Sequence, residues 1–168
     1  DNDTNATGLT LAQQKMREAG VAEAAINVFS DFYHQLEQGV TGSIPEETIS
    51  PLTEVDRLAD VEVDPEVAKD AFSKLVVINL NGGLGTSMGM DRAKSLLPVR
   101  DSKSFLEIIV EQVLAARKKT GARLPLLFMN SFRTREDTLE VLAKYPDLQV
   151  GDLPLDFLQN KEPKLRRD

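Results

Sequence analysis

An α/β fold with a parallel sheet follows from three features of this sequence. Leu75-Val-Val-Ile-Asn-Leu80 and Leu124-Pro-Leu-Leu-Phe-Met129 are short, nearly continuous apolar runs, the pattern of strands buried on both faces of a parallel sheet. Between them lies one amphipathic stretch, opened by the capping box Ser104-Phe-Leu-Glu107 and stopped by Thr120-Gly121. Two such strands joined by one helix predict a right-handed βαβ unit.

The elements follow in chain order. Residues 1–8 are polar and expected to fray. Thr10-Leu-Ala-Gln13 reads as a capping box for a short helix that Gly20 ends. A second helix, 22–38, carries Phe29, Phe32, Tyr33 and Leu36 at i, i+3, i+4, i+7, a packing face. His34, the sole histidine, lies beside that stripe and has no cysteine or second histidine for a metal site. From Gly39 to Asp64 the chain is acidic and punctuated by Pro45 and Pro51, as in an outer connector with short helical turns. Glu46, Glu47 and Glu54 in it read as a solvated surface. Pro65 suits the first turn of a helix reaching Phe72. After the 75–80 strand and a glycine loop, the central helix presents Phe105, Ile108, Ile109, Val113 and Ala116 as its apolar face. Thr134-Arg-Glu-Asp137 opens a last helix to Tyr145, beyond which periodicity is lost.

Bulk properties narrow the function classes. A chain of 168 residues, 41% hydrophobic and 28% charged, is of globular type and about one domain long. A net charge of −7 weighs against nucleic acid or an anionic membrane as partner. The absence of cysteine excludes disulfides and thiolate metal sites and suits a reducing, cytoplasmic setting. No apolar run approaches the roughly 20 residues of a membrane span, and Asp-Asn-Asp-Thr-Asn at the start is not the pattern of a signal peptide.

The chemistry concentrates in Leu80-Asn-Gly-Gly-Leu-Gly-Thr-Ser-Met-Gly89, with Lys94 shortly after. Glycine lets backbone approach a ligand closely. Strand, glycine loop and basic residue together present N–H groups and charge to phosphate. The dinucleotide fingerprint fails because Met88 stands where its third glycine belongs, and no Gly-Lys-Ser/Thr completes a Walker loop. Taken alone, Lys94 reads equally as a surface lysine and Met129 as core, while Asn130 and Ser131 suit a helix N-cap. Arg133 and Arg135, in a first helical turn, read as solvent-facing.

The loop, with Lys94 in Asp-Arg-Ala-Lys-Ser-Leu-Leu-Pro-Val, resembles the UDP-sugar pyrophosphorylase signature L-x-G-G-x-G-T-x-M-G followed by lysine. It is most similar to the eukaryotic-type UTP–glucose-1-phosphate uridylyltransferases, with Phe128-Met-Asn-Ser-Phe132 as a second motif. The resemblance implies a Rossmann-like, GT-A-like nucleotidyltransferase with a mixed or parallel sheet flanked by helices and preceded by a helical segment. Residues 1–72 would be that N-terminal helical and connector segment, and 73–168 the first part of the nucleotide-binding catalytic domain. It implies reversible formation of UDP-glucose and pyrophosphate from UTP and glucose 1-phosphate, with Mg2+ bound through substrate phosphates. Lys94 would be catalytic, and Leu80, Asn81, Gly82, Gly83, Gly85, Thr86 and Met129 would bind the nucleotide. The glucose-recognising residues, the amide that reads uracil and a second lysine are expected beyond residue 168, so these residues alone are expected to bind nucleotide without turnover. Two alternatives remain at this level: a pyrophosphorylase for another UDP-sugar, such as UDP-N-acetylglucosamine, and a non-catalytic nucleotide-binding module.

Overall fold

A computed structural model describes the backbone of residues 2–166 and the side chains of 8–166. They form two compact units, residues 1–57 with 160–168 and residues 58–159.

The first unit is built on α1 (Asn2–Glu18) and α2 (Glu23–Glu37). Helix α1 begins well before Thr10, so the expected capping box lies inside a helix and the expected frayed stretch is largely helical. Ala12 and Met16 pack against Ile26 and Phe29, with Tyr33 alongside. Phe32 and Leu36, two members of the expected α2 packing face, are exposed instead. The seam keeps Phe29 and Tyr33 of the expected face and adds Ile26 in place of Phe32 and Leu36. The connector has short 3-10 turns at Glu46–Thr48 and Leu58–Asp60.

In the second unit, α3 (Pro65–Lys74) starts with Asp64 as N-cap, its carboxylate accepting the Glu66 N–H at 2.8 Å. Strand β1 (Val77–Asn81) leads into the glycine loop, and a small antiparallel hairpin, β2 (Pro98–Arg100) and β3 (Lys103–Ser104), precedes α4 (Phe105–Thr120). The Ser104–Glu107 capping box forms as expected, and Gly121 closes the helix in the left-handed region at φ 71°. The buried positions of α4 are Leu106, Val110 and Val113, while Phe105 is exposed. Of the expected face, Val113 is buried and Ile109 and Ala116 pack against the core, while Leu106 and Val110 take the central places. After β4 (Leu126–Asn130) and α5 (Arg135–Leu142), β5 (Asp156–Leu158) adds a strand in the stretch that had shown no periodicity.

The sheet order is β1-β4-β5, all parallel, with Leu80 beside Met129 and Asn81 beside Asn130. One face carries Leu126 and Phe128 onto α4 and α5, where Leu106, Val110, Leu142 and Leu148 complete the core. On the other face Ile78, Leu80 and Phe157 are exposed. The expected burial of β1 on both faces does not hold: as the outer strand it alternates, with only one side covered.

Candidate nucleotide site at the carboxyl ends of the strands

Ligands of open parallel sheets sit beyond the carboxyl ends of the strands. Here that end carries the glycine loop, which folds back on itself. Leu84 bridges Ala93 in antiparallel fashion, Lys94 N–H donates to the Gly83 carbonyl at 2.9 Å, and Gly85 N–H donates to the Arg92 carbonyl at 3.1 Å. A 3-10 turn at Thr86–Met88 ends at Gly89 with φ 71°, and buried Ala93 anchors the return arm. This stitching brings Lys94 alongside Gly83.

The glycines differ in what they are for. A Cβ at Gly82 would meet Gln159 Oε1 at 2.5 Å, and one at Gly85 would meet the Met90 Cβ at 2.8 Å. Gly89 needs its positive φ. Gly83 has neither a positive φ nor any heavy atom within 4 Å of such a Cβ. The described residues give no packing reason for glycine at 83.

Two cations in the loop differ as well. Arg92 is committed, its Nη2 lying 3.0 Å from Asp137 Oδ1 and 3.4 Å from Glu140 Oε2. Lys94 is exposed and makes no ion pair with a described residue. Leu80 and Met129 lie side by side on the open face of the sheet, and Thr86 is exposed at the start of the turn.

Asn81 points elsewhere. Its Nδ2 donates to Asn130 Oδ1 and to Thr138 Oγ1, each at 2.8 Å, all three residues being buried. Both amide hydrogens are thus spent inside the protein. Asn130 Nδ2 in turn donates to Asp156 Oδ2 at 3.1 Å, and Arg135 grips Asp156 through Nε at 2.7 Å and Nη2 at 3.2 Å. Thr134 Oγ1 donates to the Asn81 carbonyl at 2.7 Å, and Ser131 Oγ accepts the Thr134 N–H at 3.2 Å in the turn before α5, whose N-cap is Thr134 rather than the expected Asn130 or Ser131. Arg135 is exposed, as read from sequence, and is also the ion-pair partner of a residue 21 positions on. Gln159 is the other residue that sequence reasoning passed over. Its N–H donates to the Asn130 carbonyl at 2.9 Å, and its amide side chain lies against Gly82.

Burial pushes the Asp156 pKa up, but hydrogen bonds from Arg135 and Asn130 and the guanidinium charge outweigh it, so the carboxyl titrates below its ordinary value. A depressed folded pKa contributes stability above the unfolded value of about 3.9, and that contribution is lost as pH falls through the lower folded value. Melts from about pH 6 to about pH 2 should show Tm falling below about pH 4, with a shallower fall in Asp156→Asn. Equal acid slopes in the two proteins would remove Asp156 from that account.

Comparison with known proteins places these features. A family model for UTP–glucose-1-phosphate uridylyltransferase matches residues 26–168. The relative of that name from Solanum tuberosum is 44% identical over 110 residues, 66% of this chain and 23% of the relative. The one from Hordeum vulgare is 37% identical over 151 residues, 88% of this chain and 32% of the relative. A mutant UDP-glucose pyrophosphorylase from Leishmania major, solved in complex with UDP-glucose, superposes with a TM-score of 0.85 at 37% identity, over 95% of this chain and 33% of that one. The chain thus spans about a quarter to a third of the proteins it matches.

Proposed function

The chain belongs to the UTP–glucose-1-phosphate uridylyltransferase family, and from that premise we propose that it supplies the nucleotide half of an enzyme making UDP-glucose and pyrophosphate from UTP and glucose 1-phosphate. The observation that carries this reading is Gly83: the fold leaves open space where a side chain would stand, next to a lysine whose ammonium makes no ion pair with a described residue. A loop bare at that point lets a base and ribose lie against backbone, with the backbone of Lys94 hydrogen-bonded to Gly83 itself.

In the reaction the sugar phosphate oxygen attacks the α-phosphorus of UTP in line, and pyrophosphate leaves. Such chemistry asks for positioning and charge neutralisation rather than covalent participation by the protein. Leu80, Gly82 and Gly83 hold the uridine, with Met129 beside Leu80 lining the base. Thr86, exposed at the start of the turn, faces the triphosphate, whereas Gly85 is buried with its N–H spent on the Arg92 carbonyl and serves the fold of the loop. Lys94 stabilises charge at the α-phosphate and on the leaving group. The Gln159 amide, lying against Gly82, is placed to read the polar edge of the base. Asn81 serves by holding the strand end, since its amide hydrogens are spent inward. Among the described residues no group of three or more acidic, histidine or cysteine side chains is placed to hold a metal, so Mg2+ would come bound to the triphosphate's own oxygens. No described helix is long and apolar enough to cross a membrane; with the absence of cysteine, this supports a cytoplasmic place for the enzyme. The described loop reads nucleotide, and glucose as the sugar rests on the relatives' names.

Gly83→Ala tests the proposal. Thermal stability should change by less than about 1 kcal/mol, because the site is open and the backbone ordinary. UTP-dependent stabilisation should be largely lost. Unaltered UTP stabilisation in the folded variant would remove the loop from nucleotide binding.

A further inference from the structure

The buried chain of polar groups behind the glycine loop has a fixed direction. Ionised Asp156 can only accept, so Asn130 must turn its Nδ2 to it, leaving Oδ1 for Asn81. Asn81 must then present Nδ2, which also reaches Thr138 Oγ1. The Thr138 hydroxyl passes its own hydrogen to the Thr134 carbonyl at 2.6 Å, and Thr134 Oγ1 returns to the Asn81 carbonyl. Every amide orientation along the path is dictated from the carboxylate, which Arg135 holds in two-point contact. The path ends on Asn81, whose carbonyl carbon is bonded to the nitrogen of Gly82. Buried networks of this kind specify one arrangement when every member is satisfied.

We propose that Asp156 is a positioning residue for the nucleotide loop, setting the Asn130–Asn81 relay that aims the Gly82 peptide at its ligand. The idea rests on the nucleotide reading of the loop only for its consequence; the relay itself can be measured without ligand. Asparagine at 156 keeps the shape but can donate as well as accept, so the amide directions upstream are no longer forced.

The test compares wild type, Asp156→Asn, Arg135→Met and the core control Val113→Ala in the intact protein. Hydrogen exchange of the Asn81 side-chain amide is followed by NMR, and UTP affinity by titration. In Asp156→Asn the Asn81 amide should exchange about tenfold faster or more, with UTP bound at least about fivefold more weakly. Arg135→Met should move both in the same direction by less, and it decides the matter if Asp156→Asn does not fold. Val113→Ala should lower Tm and leave both readouts near wild type. Unchanged Asn81 exchange in the folded variants overturns the relay, as does an equal effect in Val113→Ala. Altered exchange with unchanged UTP affinity overturns its role in positioning the loop. If wild type binds no UTP, the nucleotide reading and the positioning role fail together, while the exchange data still decide whether the relay exists.

Discussion

On the proposed reaction, Lys94→Ala in the full-length enzyme should lower kcat for UDP-glucose formation by about 10²–10³, the loss seen when one preorganised donor to a developing charge is removed, or roughly 3–4 kcal/mol of barrier. Lys94 is exposed and makes no ion pair with a described residue, and its backbone bond to Gly83 ties the residue to the loop. The charge that matters grows as the bond to the α-phosphorus exchanges, so the effect belongs mainly to the rate. UDP-glucose binding, followed by thermal stabilisation, should persist. Lys94→Arg should rescue only in part, because a planar fork does not replace a compact point charge. Full activity in Lys94→Ala would take the lysine out of the mechanism, and lost binding with unchanged turnover of bound substrate would reassign it to affinity.

The largest expected loss of stability is at Phe128. Its side chain is fully buried in the middle of the central strand, within a core of Leu106, Val110, Leu126, Leu142 and Leu148. Removing the ring leaves a void that the sheet and two helices cannot close, so Phe128→Ala should cost about 3–5 kcal/mol. For a chain of this size that lowers Tm by roughly 10 °C. A loss below about 1 kcal/mol in denaturant unfolding would mean that this core repacks freely, against close packing of the interior.

Local signals in the sequence were reliable where one segment decides its own structure. The Ser104–Glu107 capping box, the Gly121 stop and the parallel pairing of the two apolar strands formed as read. Thr10 misled because a capping box marks a helix start only if the preceding residues are not already helical, and α1 begins at Asn2. Strand β5 was illegible for a different reason. Three residues beginning with aspartate carry no strand signal, and Asp156 is held there by Asn130 and Arg135 from distant parts of the chain. The same non-local bonds drew Asn81 inward and tied the exposed Arg135 to a buried carboxylate. In the loop, Lys94 and the glycines were visible, but a sequence does not say which glycine serves packing and which serves a ligand. That division appeared only once Gln159 and Met90 were seen to crowd Gly82 and Gly85 while nothing crowds Gly83.

The antiparallel closure of the loop, Leu84 against Ala93 with Lys94 bonded to Gly83, has a thermodynamic meaning. In an open strap, the entropy lost in bringing a lysine to a phosphate cradle would be charged to each binding event. Here folding has already met the backbone part of that cost, and what is left to order is the Lys94 side chain. For the proposed triphosphate ligand, binding would then draw on desolvation, charge and one side chain's freedom rather than on ordering of the loop backbone.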